Sequence, residues 1–193
     1  MSKATFTENY KKNILPALKK ELGKKNSMAV PMVKAVKVHV GIGSIMTRGN
    51  KDYDNVIANV TAITGQKPIV TKAKKAISNF KTRIGLPVGV VTTLRGKRMM
   101  DFMNKFINVV LPRVRDFRGI SKRAFDENGS YSVGLREHTV FPEINPDDIE
   151  KAHGVQVTIV TSASNKDDGY ALLSALGFPF KKDELISEKK RTK

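Results

Sequence analysis

The chain has 193 residues, 40% apolar and 27% charged, which suffices for a domain with its own core and excludes a disordered tail protein. It has no Cys, which excludes a disulfide framework, a thiolate nucleophile and a thiolate metal site and fits a reducing cytosol. The formal charge is +17, and it is uneven: residues 1–100 hold 20 basic and 4 acidic side chains, residues 101–193 hold 15 and 14.

The spacing of Tyr10, Ile14, Leu18 and Leu22 predicts a helix over 8–22, kinked or split by Pro16 and stopped at Gly23. Residues 32–42 alternate as a strand. Val36, Val38, Val40 and Ile42 point one way, Lys37 and His39 the other. A helix over 52–64 carries Val56, Ile57, Val60 and Ile63 on one face, with Asp52 as N-cap and Gly65 as stop. Ile69-Val70-Thr71 reads as a short strand. Residues 72–87 then form a long basic connection.

Residues 88–95 alternate again. Val88, Val90, Thr92 and Leu94 share one face; Gly89, Val91, Thr93 and Arg95 share the other. A helix over 97–111 is expected to end at Pro112, and its Met and Phe stripe reads as core. Residues 113–130 are irregular and rich in Arg, with a hairpin signal at Asn128-Gly129. Strands are expected at 131–141 and 155–162, with a helix cap at Asn145-Pro146-Asp147-Asp148 between them. A last helix spans 166–176 and ends at Gly177; the polar tail 183–193 reads as disordered. Together these elements predict a two-layer α+β domain over 1–182. Its largely antiparallel or mixed sheet is covered by helices on one face and free on the other.

Catalytic patterns are weak. Gly41-Ile42-Gly43 follows a strand, but Met46 stands where a dinucleotide loop needs its third glycine. The three histidines, His39, His138 and His153, lack metal-ligand spacing, and Glu143, Asp147, Asp148 and Glu150 read as capping charges rather than metal ligands. No Gly-x-Ser-x-Gly elbow occurs. No cofactor is expected. No run of about 18 apolar residues occurs, so no membrane span is expected either. The start, Met1-Ser2-Lys3-Ala4-Thr5-Phe6, has no apolar signal core.

The charge points to a polyanion. If the valine faces of 36–42 and 88–94 pack on helices, the opposite faces offer Lys37, His39, Thr93 and Arg95, with Gln66 at the mouth of the short strand. Lys and Arg neutralise phosphates. His, Thr and Gln bond ribose hydroxyls or base edges. An open polar sheet with no recognition helix suits structured RNA better than duplex DNA. The basic loop at 74–89 is a second candidate contact, with Lys74, Lys75, Lys81 and Arg83 around Phe80. The bland alternative there is that Phe80 and Ile84 tuck under the domain.

The motifs Gly65-Gln66-Lys67-Pro68, Thr92-Thr93-Leu94-Arg95-Gly96 and Leu111-Pro112-Arg113-Val114-Arg115-Asp116-Phe117-Arg118-Gly119 occur in this order. Phe125-Asp126, Phe141-Pro142-Glu143-Ile144 and Gly177-Phe178-Pro179-Phe180 follow. Together they closely resemble the bacterial form of the large-subunit ribosomal protein five family, over residues 5 to 182. The resemblance implies a two-layer α+β fold and a structural role in the cytoplasmic ribosome. It implies binding to 5S rRNA and 23S rRNA in the central protuberance, among neighbouring large-subunit proteins. It further implies a loop, matching 74–89, that reaches P-site tRNA. An inter-subunit bridge to small-subunit protein thirteen is placed either near 113–123 or in the loop at 142–153. The family's 5S rRNA residues map onto Gln66, Thr93 and Arg95. The fourth is an Asn in a Leu-Asn-Met-Gly pattern; here the stretch is Val38-His39-Val40-Gly41. Residues 183–193 read as an extension of the family's length. An RNA-modifying or nucleotide-using enzyme is the competing class.

Overall fold

A computed structural model describes residue 8 and residues 10–47, 53–144 and 152–181. It contains a five-stranded sheet: β1 (Val33–Gly41), β2 (Ile69–Lys72), β3 (Pro87–Leu94), β4 (Tyr131–Leu135) and β5 (Val155–Thr161), in the order β2-β3-β1-β5-β4. β3 pairs antiparallel with both β1 and β2. The helices are α1 (Leu15–Glu21), α2 (Gly43–Thr47), α3 (Asp54–Thr64), α4 (Gly96–Lys105) and α5 (Lys166–Ala175). The fold is α+β, as the patterning predicts. The chain divides into two compact units, one built from 1–35, 95–133 and 159–193, the other from 36–94 and 134–158.

In the second unit, alternation decides the packing. Val36, Val38 and Val40 of β1 and Val90 and Leu94 of β3 are fully buried, and Lys37 between them is exposed. The apolar side faces α2 and α3, which lie against β3 and bury Ile42, Val56, Val60 and Ile63. Burying each such side chain stabilises by about 1.5–3 kcal/mol. Gly65 ends α3 in the left-handed region at φ 67°, where a Cβ would be strained. Tyr53 holds the N-cap; the expected cap, Asp52, lies outside the described residues.

The strand expected at 131–141 is shorter, ending at Leu135. The chain bends so that His138, in a tight turn at His138–Val140, enters the interior. Its Nδ1 accepts a hydrogen bond from the His153 backbone N–H at 3.3 Å. The turn, that bond and the stack of the His138 ring on His153 take the chain off the extended path of the strand. The expected cap at 145–148 and the tail at 183–193 lie outside the described residues.

In the first unit, two helices meet prolines in the same way. A five-residue π turn, Tyr10–Ile14, runs directly into Leu15-Pro16 and α1. Another, Phe106–Val110, follows α4 and runs into Leu111-Pro112. Proline donates no N–H and crowds the carbonyl four residues back; a widened turn moves that carbonyl away. The helix therefore does not stop at Pro112 but continues to Arg113, and Val114 is extended. α1 packs on α5, and Lys24 Nζ lies 3.5 Å from Asp168 Oδ2.

An aromatic cluster closes this unit. Phe125 and Tyr131 have ring centroids 4.5 Å apart, and Tyr170 and Phe180 4.8 Å apart. The buried Tyr131 hydroxyl donates to Ser121 O at 2.7 Å. The Asn128-Gly129 signal is a three-residue hairpin loop: Asp126 N donates to Ser130 O, and Gly129 has φ 70°.

Candidate nucleic-acid interface

The strand register places the candidate residues. On the side of the sheet away from α2 and α3, Lys37 sits opposite Thr93 and His39 opposite Val91, with Ile69 of β2 on the far side of Val91. Direct cross-strand partners hold their Cβ atoms about 4.5–5.5 Å apart. Lys37 and Thr93 therefore form one polar pair. A carbonyl-bound amide completes it: the left-handed turn at Gly65 brings Gln66 back to β3, where Gln66 Nε2 donates to Thr93 O at 3.4 Å. Thr64 Oγ1 braces the turn by donating to Val60 O at 2.7 Å and accepting from Gln66 N at 3.3 Å. The side-chain oxygen of Gln66 is left to accept from a ligand.

The structure thus brings Lys37, His39, Gln66 and Thr93 together in the second unit. Arg95 is placed differently. It continues β3 in extended conformation (φ −140°, ψ 164°), but it caps α4 and belongs to the first unit. It is exposed, as are Lys97 and Arg98 after it.

β5 also carries polar side chains that the residue pattern allowed but did not single out. Val155, Val157 and Ile159 are buried; Gln156 and Thr158 alternate with them on the outer side, with Gln156 Nε2 3.4 Å from Thr158 Oγ1. The period of two around Gln156 and Thr158 is the signal that could have found them.

The loop between β2 and β3 projects as a ladder of short bonds. Ala73 N donates to Leu86 O at 2.8 Å, and Ile77 and Thr82 exchange two backbone bonds of 3.2 Å. Beyond that second neck, Ser78–Phe80 form one tight turn and Lys81 is left-handed at φ 51°. Lys74, Lys75, Lys81 and Arg83 are exposed. Phe80 is 69% and Ile84 74% exposed, so the loop holds its apolar side chains outward and the alternative of a tucked Phe80 is excluded. Neither Lys37, Arg95 nor the four loop cations form an ion pair among the described residues. Such charges are available to phosphates.

Arg113, Arg115, Arg118 and Arg123 lie on a segment held by Ile120 N donating to Pro179 O at 2.8 Å and Lys181 N donating to Ile120 O at 3.0 Å, and all four are exposed. No metal-ligating cluster of three or more His, Asp or Glu side chains occurs among the described residues, nor does a helix long and apolar enough to cross a membrane.

Two family models match in succession, ribosomal protein L5 over residues 26–83 and the C-terminus of the same ribosomal family over residues 87–180. A large ribosomal subunit protein uL5 of Desulfatibacillum aliphaticivorans is 49% identical, covering 93% of this chain and 99% of its own length. Proteins of the same name from Natranaerobius thermophilus and Halothermothrix orenii are 50% and 47% identical, each covering 92% of this chain and 98% of its own. With both family models matched in order and identity of this level over nearly its whole length, the chain belongs to the ribosomal protein L5 family.

Proposed function

We propose that this chain is a structural constituent of the large ribosomal subunit that binds 5S rRNA through the open face of its sheet. The observation that carries the reading is the convergence of Lys37, His39, Gln66 and Thr93 on one uncovered sheet face, inside the half of the sequence that holds nearly all the excess charge. The cation supplies phosphate neutralisation, and the amide, hydroxyl and imidazole supply hydrogen bonds to ribose and base edges. The exposed Arg95, next after β3, adds a charge-assisted contact. Membership in a family of ribosomal proteins, rather than of enzymes, sets aside the competing catalytic class.

Three further contacts belong to the same reading. The loop carrying Lys74, Lys75, Phe80, Lys81 and Arg83 reaches P-site tRNA. Other basic surface meets 23S rRNA in the central protuberance of the cytoplasmic ribosome. The exposed arginines of 113–123 form the bridge to small-subunit protein thirteen; the other placement, at 142–153, falls partly outside the described residues.

The test is a gel shift of the pure chain with 5S rRNA against an unrelated structured RNA of equal length, across a salt series. Selective binding is expected, and Lys37→Ala reduces the slope of log affinity against log salt by about one. Equal affinity for the two RNAs overturns the reading.

A further inference from the structure

Gly89 occupies the centre of a row in which it faces Gly41 on β1 and Thr71 on β2. Two of those three positions carry no side chain, and Gly89 is buried beneath its neighbours. Two polar atoms converge on it. A Cβ on Gly89 would lie 2.8 Å from Thr71 Oγ1 and 3.5 Å from His39 Nε2. Atoms that close to a common point can be reached together by one ligand oxygen. The His39 imidazole makes no hydrogen bond among the described residues.

The chemistry of the two atoms differs. Thr71 Oγ1 donates its proton to Gly89 O at 3.0 Å, so toward a ligand it presents lone pairs only. The imidazole of His39 supplies an N–H from Nε2 in its Nε2-protonated tautomer. One acceptor and one donor around a single point complement a group that both donates and accepts. A phosphate oxygen only accepts and leaves Thr71 unanswered. A deoxyribose C2′ does neither. A ribose 2′-hydroxyl does both.

We propose that His39, Thr71 and Gly89 form a notch that takes a ribose 2′-hydroxyl of the bound RNA backbone. This rests on the reading that the open face binds 5S rRNA, and it adds how that face tells RNA from DNA. Gly89 is the floor: any larger residue there presses on Thr71 Oγ1 and closes the notch.

The experiment is a binding cycle with the full chain, its Thr71→Val and Thr71→Ser variants, 5S rRNA, and 5S rRNAs carrying single 2′-deoxy nucleotides. Thr71 is exposed, so the variants are expected to melt with the wild-type chain. Thr71→Val should weaken 5S rRNA binding about three- to tenfold, the loss of one neutral hydrogen bond, and Thr71→Ser should bind as the wild type does. One 2′-deoxy position should weaken the wild type by a similar factor and leave Thr71→Val no weaker than before. Unchanged affinity of Thr71→Val, or losses that simply add at every deoxy position, overturns the notch while leaving 5S rRNA binding standing. A wild-type chain that does not bind 5S rRNA overturns both.

Discussion

His138 and His153 stack face to face, with ring centroids 3.8 Å apart and planes 14° from parallel. His138 is 1% exposed, and its Nδ1 accepts the His153 backbone N–H. Two imidazolium ions cannot share this geometry without strong repulsion, so the stack requires at least one neutral ring.

The first prediction is a pH dependence of stability. Burial pushes the His138 imidazole below its ordinary 6.5, against the Glu137 charge, which acts to raise it. The unfolded chain therefore takes up the proton first. The stability from neutral His138 is present above the unfolded value near 6.5 and is lost as pH falls from there toward the lower folded value. Urea denaturation at pH 7.5 and 5.5 should show this loss in the wild type and a smaller one in His138→Asn. Equal losses in the two would place the effect elsewhere.

Thr92 gives a stability gain. It lies on the apolar side of β3 opposite Val38, is 2% exposed, and its hydroxyl has no hydrogen-bond partner among the described residues. Thr92→Val removes an unsatisfied buried polar atom at nearly the same volume. It should stabilise the protein by about 1 kcal/mol, read from the denaturation midpoint.

Gly169 gives the opposite sign where helix propensity points the other way. In an exposed helix interior, Gly→Ala stabilises by about 1 kcal/mol. Here a Cβ on Gly169 would overlap the Gly129 carbonyl oxygen, and Gly129 is itself hemmed in by Asn165 O and Ala163. Gly169→Ala should therefore destabilise by about 1–3 kcal/mol, and a stabilised variant would show that the two backbones are not in contact.

Arg95→Ala should weaken 5S rRNA binding by roughly 1–3 kcal/mol at fixed salt, the size of one charge-assisted contact. The side chain is exposed, so thermal melting should be unchanged. Undiminished affinity would remove Arg95 from the interface.

Excising residues 77–82 should preserve the fold, because the neck between Ala73 and Leu86 closes the loop below the cut. On the proposed reading, the shortened protein should bind 5S rRNA as the full chain does and fail to crosslink to P-site tRNA in assembled ribosomes. Loss of 5S rRNA binding in a folded variant would move the main contact to the loop.

The placement of much of the candidate site was legible in the chain. Alternation in 36–42 and 88–94 assigned Lys37, His39 and Thr93 to one face, since side chains in a strand point to opposite sides with period two. The same rule failed at 131–141, where a buried His138 bends the chain after Leu135. It failed because periodicity registers how apolar a residue is and not which distant ring it will stack on. The proline rule marked Pro16 correctly as a disturbance but made Pro112 a stop, and the helix runs on to Arg113. It missed that a π turn absorbs each of them, which depends on the carbonyls of the turn before.

The sequence by itself determined the charge asymmetry, the strand faces, the helix stops at Gly65 and Gly177 and the family, because these follow from residue type and spacing along the chain. The tertiary structure alone decided register and approach. It set Thr71 and His39 over Gly89, Gln66 against Thr93, Gly169 against Gly129 and His138 against His153. Those pairs join residues from separate segments, and only the folded chain fixes which of them meet.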